Sequence, residues 1–162
     1  MLIRSISGIR GLVNEDLKNE EITKYANALH DFLDPGVIYA GRDSRPSGEE
    51  ITEIMIDELV RLGRTVIYCG IVPTPTVQFM VHTSEAVGGF IITASHNPSH
   101  DNGFKAYFVD GSQLTPTHAE KVVEKYKGIS ISELLPLLDK GDPEDSPWTI
   151  LQAGDDLSYR AA

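Results

Sequence analysis

The sequence predicts an α/β layered domain, and three observations carry that expectation. Short apolar, β-rich runs at Val37–Ala40, Thr65–Cys69 and Phe90–Ile92 read as buried strands. Apolar residues recur at helical spacing over Ile22–Leu33 and again from Ile51 to Leu62. The two kinds of run alternate along the chain with short joins rich in Gly and Pro, an order that buries strands beneath helices. With 162 residues, 41% of them hydrophobic, the chain is long enough for one domain with a sizeable core.

Taken in order, Leu2 to Arg10 has apolar positions at Leu2, Ile3 and Ile6 and reads as a short strand entering a turn at Ser7-Gly8-Ile9-Arg10-Gly11. Gly8 and Gly11 permit close backbone approach, and Arg10 offers a planar donor fork suited to phosphate or carboxylate, although one arginine between glycines is by itself a weak sign. The helix over Ile22–Leu33 turns Ile22, Tyr25, Ala26, Leu29, Phe32 and Leu33 to one face and Lys24, Asn27 and Asp31 to the other. His30 has no metal-ligand pattern near it and reads as a helix-surface residue. Asp34-Pro35-Gly36 ends the helix, and Val37–Ala40 forms a strand.

Gly41-Arg42-Asp43-Ser44-Arg45 follows that strand. Arg42 and Arg45 could grip anions, and Asp43 between them could equally organise both in a structural charge network. Ser47 to Glu50 has capping-box spacing for a helix whose apolar face holds Ile51, Ile54, Met55, Leu59 and Leu62, and Gly63 closes it. Thr65–Cys69 is a strand, and Gly70–Thr76 is a stiff connection into Val77, Met80 and Val81, with Met80 assigned to the core. Thr115 caps a helix that begins with Pro116 and places Ala119, Val122, Val123 and Tyr126 on its apolar face. Ile129–Leu138 reads as a shorter helix and residues 140–147 as a polar connector. We therefore expect one domain over residues 1–138. Residues 139–162 then form a polar connector and a terminal segment, either a last strand against that domain or the severed start of a second.

Composition excludes several classes of function. Lys plus Arg number 14 against 24 Asp plus Glu, a formal net charge of -10, which disfavours a nucleic-acid-binding surface. Arg10, Arg42, Arg45 and Lys105 nonetheless lie in loops or beside glycine, where they could form a local anion site. There is no apolar run of transmembrane length and no secretory leader pattern, so no membrane association and a cytoplasmic location are expected. The single Cys69 excludes an intrachain disulfide and reads as a structural thiol. No Walker loop, EF-hand or dinucleotide fingerprint is present.

The chemistry concentrates between the strand Phe90–Ile92 and the apolar alternation Ala106–Val109. Thr93-Ala94-Ser95-His96-Asn97-Pro98 sets a hydroxyl beside an imidazole and an amide, Pro98 stiffens the exit, and Gly103 permits a tight return. These are also ordinary turn residues, and Ser95 and Asn97 could simply bond nearby backbone. A serine hydroxyl needs an assisting group to act as a nucleophile. His96 is suggestive, but neighbours on an extended segment point to opposite sides, so it could instead orient the loop or touch substrate.

The run TASHNP followed by Asn102-Gly103-Phe104-Lys105 resembles the phosphoserine loop of the phosphohexomutases, the phosphoglucomutase and phosphomannomutase family. SGIRG at 7–11, GRDSR at 41–45 and VPTPT at 72–76 resemble further elements of that family, and the likeness covers roughly Ile3 to Val123. It implies a three-layer α/β/α domain with a mixed sheet. It implies further that Ser95 carries a phosphoryl group given to a sugar monophosphate and then regained, that Arg10 approaches the phosphoserine, and that Lys105 serves acid-base or proton-positioning chemistry. Asn97, Asn102, Arg42, Asp43 and Arg45 are expected to support the loop or the substrate. In the family, Mg2+ is held by acidic residues of a second domain together with an oxygen of the serine phosphate, so Ser95 is this chain's expected metal contact. Asp142-Pro-Glu-Asp-Ser146 does not match that acidic loop. The implied partners are hexose phosphates, a hexose bisphosphate and the missing C-terminal domains, without which the isolated chain is expected to lack full turnover. Two alternatives stand beside this reading: the first domain of a phosphoglucosamine mutase, whose loop more often begins SASHNP, and a non-enzymatic sugar-phosphate-binding or interaction module.

Overall fold

The computed structural model describes residues 3–5, 8–130 and 149–150. Along the chain run β1 (Ile3–Ser5), β2 (Gly8–Leu12), α1 (Asn19–Phe32), β3 (Val37–Arg42), α2 (Gly48–Arg61), β4 (Thr65–Ile71), α3 (Thr74–His82), β5 (Gly88–Ile92), β6 (Asp101–Phe108), α4 (Pro116–Gly128) and β7 (Thr149–Ile150). The strands form one mixed sheet in the order β1-β2-β6-β5-β3-β4-β7. β5, β3, β4 and β7 are parallel neighbours, whereas β1, β2, β6 and β5 pair antiparallel.

The layers follow from burial. All five residues of β5 are buried, which requires cover on both faces of the sheet. On one face Ile22, Leu29, Met55, Leu59 and Tyr126 from α1, α2 and α4 meet Ile38, Phe90 and Phe104. On the other, Val77 and Val81 of α3 meet Tyr39, Ile91 and Tyr107. The domain is thus the three-layer α/β/α arrangement with a mixed sheet. Met80 is only half-buried at the rim of that second core, because α3 is short and turns Val77 and Val81 inward instead. Burial pushes the Cys69 thiol up to about 11, so at neutral pH it stays a protonated packing group. Among the described residues no helix is long and apolar enough to cross a membrane.

Four local expectations are corrected. Gly8–Gly11 is not a turn but most of β2, paired with β1 on one side and β6 on the other. Gly103 does not make the loop's return: it lies inside β6 opposite Arg10, where an added Cβ would sit 2.1 Å from the Ile9 carbonyl oxygen. Only glycine lets β2 approach so closely. The capping box at α2 does not form, since Ser47 has helical backbone angles and its hydroxyl accepts from Asn102 Nδ2 at 3.0 Å. His30 is not a free surface residue. Arg64, 7% exposed, donates to the carbonyls of His30, Leu33 and Asp34 at the end of α1, and its Nε donates to His30 Nδ1 at 3.0 Å.

Ile129 and Ser130 lie beyond the end of α4, while the rest of the expected helix to Leu138, the polar connector and the boundary at residue 138 fall outside the described residues. Thr149 and Ile150 pair with Ile67 and Tyr68 of the same sheet.

The Arg64 clamp makes stability depend on pH. Burial first, and the Arg64 charge second, hold His30 below its ordinary pKa. The unfolded chain therefore takes up a proton that the folded chain resists, and stability is full above the ordinary His pKa and falls as pH drops through it. Urea midpoints measured between about pH 7.5 and 5 should decline in the wild type, and His30→Asn, whose amide oxygen accepts from Arg64 without titrating, should show a shallower decline. Identical slopes would remove His30 as a cause.

Candidate functional site

Because β3 and β5 are parallel neighbours with Arg42 paired to Ile92, the loops that follow them leave the sheet side by side at its carboxyl edge. One loop carries Asp43 and Arg45, the other Ser95 to Pro98. Asp43 N donates to the Ile92 carbonyl at 3.0 Å, and the Asp43 carboxylate accepts from both Arg45 N at 3.0 Å and Arg45 Nε at 3.1 Å. So oriented, the Arg45 guanidinium donates to four carbonyls of the second loop: Ser95 at 2.9 Å, Asn97 at 2.8 Å, Pro98 at 2.6 Å and Asp101 at 3.1 Å.

Ser95 occupies a tight turn in which Asn97 N donates to the Ala94 carbonyl at 3.1 Å. Its φ is +57°, in the left-handed region that an L side chain enters at a cost. Two bonds hold it there. Ser95 N donates to Thr93 Oγ1 at 2.9 Å, and its carbonyl is one of the four held by Arg45. The result is an exposed hydroxyl on a fixed backbone.

β6 then brings a cation to that hydroxyl, and β2 brings a second to the loop that carries it. Lys105 pairs with Ile91 and Arg10 with Gly103, so both share the sheet face of Ile91 and Tyr107. α3 lies over β3, β5 and β6 on that face. Lys105 Nζ donates to Ser95 Oγ at 2.7 Å. Arg10 Nη1 donates to Asn97 Oδ1 at 2.9 Å, and Asn97 Nδ2 donates to Asp101 Oδ2 at 2.7 Å. Although the chain as a whole is acidic, Lys105 sets a cation against Ser95 Oγ and Arg10 adds a second on the same loop through Asn97.

The expected residues divide accordingly. Ser95, Lys105, Arg10, Asn97, Asp43 and Arg45 form one connected group. His96 is exposed and makes no hydrogen bond among the described residues. Arg42 does not reach the loop: it projects to the α2 face, where Nε donates to the Tyr68 hydroxyl at 2.8 Å and Nη2 lies 3.6 Å from Glu49 Oε2. Asn102 is fully buried on that same face, bonded to Ser47 Oγ and to Gly103 N, and ties β6 to the start of α2. Thr93 and Asp101 belong to the site although neither was singled out from the sequence. The one available signal was Thr93 two residues before Ser95, the spacing of a hydroxyl-to-backbone turn.

The donors around Ser95 do not by themselves fit a magnesium shell. Among the described residues no group of three or more His, Cys, Asp or Glu converges on a point. The nearest carboxylates are engaged, Asp43 by Arg45 and Asp101 by Asn97.

Comparison with known proteins bears on the whole arrangement. The family described as "Phosphoglucomutase/phosphomannomutase, alpha/beta/alpha domain I" matches residues 2–132. A "Probable phosphoglucosamine mutase" of Pyrococcus abyssi is 39% identical over 124 residues, 75% of this chain and 28% of that protein. The phosphoglucosamine mutase of Natranaerobius thermophilus is 34% identical over 138 residues, 80% of this chain and 31% of that protein. Among solved structures, one described as a "putative phosphomannomutase" from Thermus thermophilus superposes with a TM-score of 0.73 at 26% identity, covering 77% of this chain and 30% of that one. A phosphoglucomutase/phosphomannomutase family protein of Burkholderia thailandensis shares the fold with a TM-score of 0.65 at 24% identity, covering 79% of this chain and 31% of that one. The chain thus spans less than a third of the length of each of these proteins.

The four-carbonyl clamp generates its own expectation. Arg45→Lys keeps the charge but replaces a planar fork by a point donor, so it should free most of the carbonyls much as Arg45→Ala does. Hydrogen exchange of the amides of Ser95, Asn97 and Asp101 should quicken by roughly tenfold or more in both variants while the β5 amides keep their protection. Full protection of the loop in Arg45→Lys would show that charge alone suffices.

Proposed function

Since the chain belongs to the phosphoglucomutase/phosphomannomutase family, we propose that it is the phosphoserine-bearing N-terminal portion of a phosphohexomutase, with Ser95 as the phosphoryl carrier. The observation that carries this reading is the 2.7 Å bond from Lys105 Nζ to the oxygen of a serine held in a strained, exposed turn. A strained backbone that the surrounding structure over-determines is a common mark of a working site.

The chemistry follows from which group donates. Lys105 gives its hydrogen to Ser95 Oγ, so in this state it is placed as an acid rather than a base. When phosphorylated Ser95 gives up its group, a bond forms between a sugar hydroxyl oxygen and phosphorus, the hydroxyl proton passes to solvent, and the P–Oγ bond breaks. The electron pair stays on Oγ, and the Lys105 proton neutralises it. In the return step Oγ attacks the sugar phosphate and neutral Lys105 takes the hydroxyl proton. The bond from phosphorus to the sugar oxygen breaks, and that oxygen, left with the electron pair, takes up a proton from solvent. Arg10 supplies N–H donors to the phosphoryl oxygens, whose charge has to be offset in the transition state. His96 is free to touch substrate but is not placed to take the Ser95 proton.

Magnesium would enter this reading held by carboxylates that the described residues do not supply, with phosphorylated Ser95 as the residue here that would offer it an oxygen, and it would supply neutralisation of phosphoryl charge. The substrates are then hexose 1-phosphate and hexose 6-phosphate, interconverted through a bisphosphorylated sugar, in a cytoplasmic enzyme. Among the hexoses, glucosamine gains weight from the names of the curated relatives. The threonine of TASHNP does not count against it. Thr93 is 6% exposed and its hydroxyl accepts from Ser95 N, which a serine would do equally well.

Two measurements test the reading. Incubated with glucose 1,6-bisphosphate or glucosamine 1,6-bisphosphate, a chain extended by the remaining domains should gain the mass of one phosphoryl group, and Ser95→Ala in that chain should gain none. Phosphorylation of Ser95→Ala to the same extent would sink the assignment. In a magnesium-containing assay with glucose, mannose and glucosamine phosphates, turnover is expected from a chain extended by the remaining domains and little or none from these 162 residues; equal turnover by both would refute the need for further domains.

A further inference from the structure

Resting on the reading of Arg10 as an anion-binding group, we propose that Asp101 is its positioning residue: through the amide of Asn97, the Asp101 carboxylate sets the Arg10 guanidinium beside Lys105 without neutralising it. The geometry is a three-member relay. Asp101 Oδ2 accepts from Asn97 Nδ2 at 2.7 Å, and Asn97 Oδ1 accepts from Arg10 Nη1 at 2.9 Å. A carboxylate can only accept and a guanidinium can only donate, so the amide between them has one workable orientation. Flipping it would turn an acceptor toward a carboxylate and a donor toward a cation.

The relay solves a problem created by the strands. Arg10 stands opposite Gly103, which has no side chain to lean on, and its nearest neighbours along that face of β6 are Asp101 and Lys105, two residues to either side. Arg10 and Asp101 are therefore diagonal cross-strand neighbours of opposite charge, an arrangement that favours direct pairing. Yet no ion pair joins them, because the Asn97 amide stands between. A direct pair would occupy the guanidinium with a carboxylate, whereas the amide oxygen engages a single N–H. Apart from Asn97, Arg10 meets no hydrogen-bond acceptor among the described residues, and its other donors remain available to an anion. The relay also starts from a fixed point, since Asp101 N donates to the Pro98 carbonyl and the Asp101 carbonyl is held by Arg45.

The test compares two variants that remove the same charge. Asp101→Asn keeps an oxygen able to accept from Asn97, and Asp101→Ala does not. Inorganic phosphate is titrated into the 162-residue chain while the Arg10 Nε–H resonance is followed by NMR. A purely electrostatic role for Asp101 predicts tighter phosphate binding in both variants alike. The relay predicts an ordered, exchange-protected Arg10 signal in the wild type and in Asp101→Asn and its loss in Asp101→Ala, with phosphate bound by Asp101→Ala about fivefold more weakly than by Asp101→Asn, a difference on the scale of one ordinary hydrogen bond. Asn97→Leu, which cuts the relay at its centre with Asp101 in place, should lose the Arg10 signal in the same way and covers the case of Asp101→Ala failing to fold. Equal Arg10 order in Asp101→Ala and Asp101→Asn, or retained order in Asn97→Leu, overturns the proposal. An Arg10 signal that follows the relay in a protein that does not bind phosphate at all supports the positioning and overturns the anion-site reading instead.

Discussion

A guanidinium with five N–H donors in one plane is the side chain best suited to gather several carbonyls at once, and the loop around Ser95 depends on Arg45 doing so. The left-handed backbone of Ser95 costs on the order of 1–2 kcal/mol. A hydrogen bond from a charged donor contributes roughly 1.5–3 kcal/mol net, and the Thr93 bond about another 1 kcal/mol. The two bonds to the Ser95 backbone therefore outweigh its strain, so the backbone that presents the exposed hydroxyl is held by its own peptide groups. Asp43 matters at one remove, because it fixes the plane of the fork.

The sheet decides what that hydroxyl meets. β5 is the seam between the two halves, parallel to β3 on one side and antiparallel to β6 on the other. Its parallel side delivers a neighbouring loop at the same edge, and so the Arg45 clamp. The antiparallel side folds the chain back so that Lys105, ten residues later, stands beside Ser95. β2 adds Arg10 at the next position because glycine at 103 lets it close in. A sheet of one sense only would supply one of these neighbours and not the other.

Much of this was legible in the residues. Apolar runs of strand length and helical spacing are local signals, and the helices α1, α2 and α4 and the strands β3, β4 and β5 lie where those signals put them. The motif around Ser95 also marked Lys105, and the separate SGIRG element marked Arg10. Sidedness was not legible. Arg42 and Arg45 sit three residues apart in one motif, yet Arg42 turns to the α2 face and Arg45 to the loop, because Arg42 is still paired in β3 and Arg45 is beyond it. Gly103 looked like a turn residue because its reason, the Ile9 carbonyl, lies on a strand more than ninety positions earlier. Ser47 and His30 went astray alike: each is engaged by a partner, Asn102 or Arg64, that no local pattern brings to it. Thr93 and Asp101 act through loop hydrogen bonds, which have no period to read.

The same bonds bear on what this domain can discriminate. Each polar group placed around Ser95 is directed at the serine, at the loop backbone or at another member of the group: Lys105 at Oγ, Thr93 at the Ser95 amide, Arg45 at carbonyls, Asp101 and Asn97 along the line to Arg10. On the proposed reading these are contacts to a phosphoryl carrier and its support, while His96 and the open donors of Arg10 are turned to none of them. A guanidinium reads a phosphate well and a sugar's stereochemistry or amino group poorly, since its planar fork matches oxygens of an anion. Choosing among glucose, mannose and glucosamine requires donors and acceptors matched to the position that differs, with unpaired buried groups as the penalty for the wrong sugar. Proteins whose names point to glucosamine and to mannose share this domain with the present chain. A loop built from backbone bonds and cations suits a part that such enzymes hold in common, and on the proposed reading the choice of sugar falls to surfaces other than this loop.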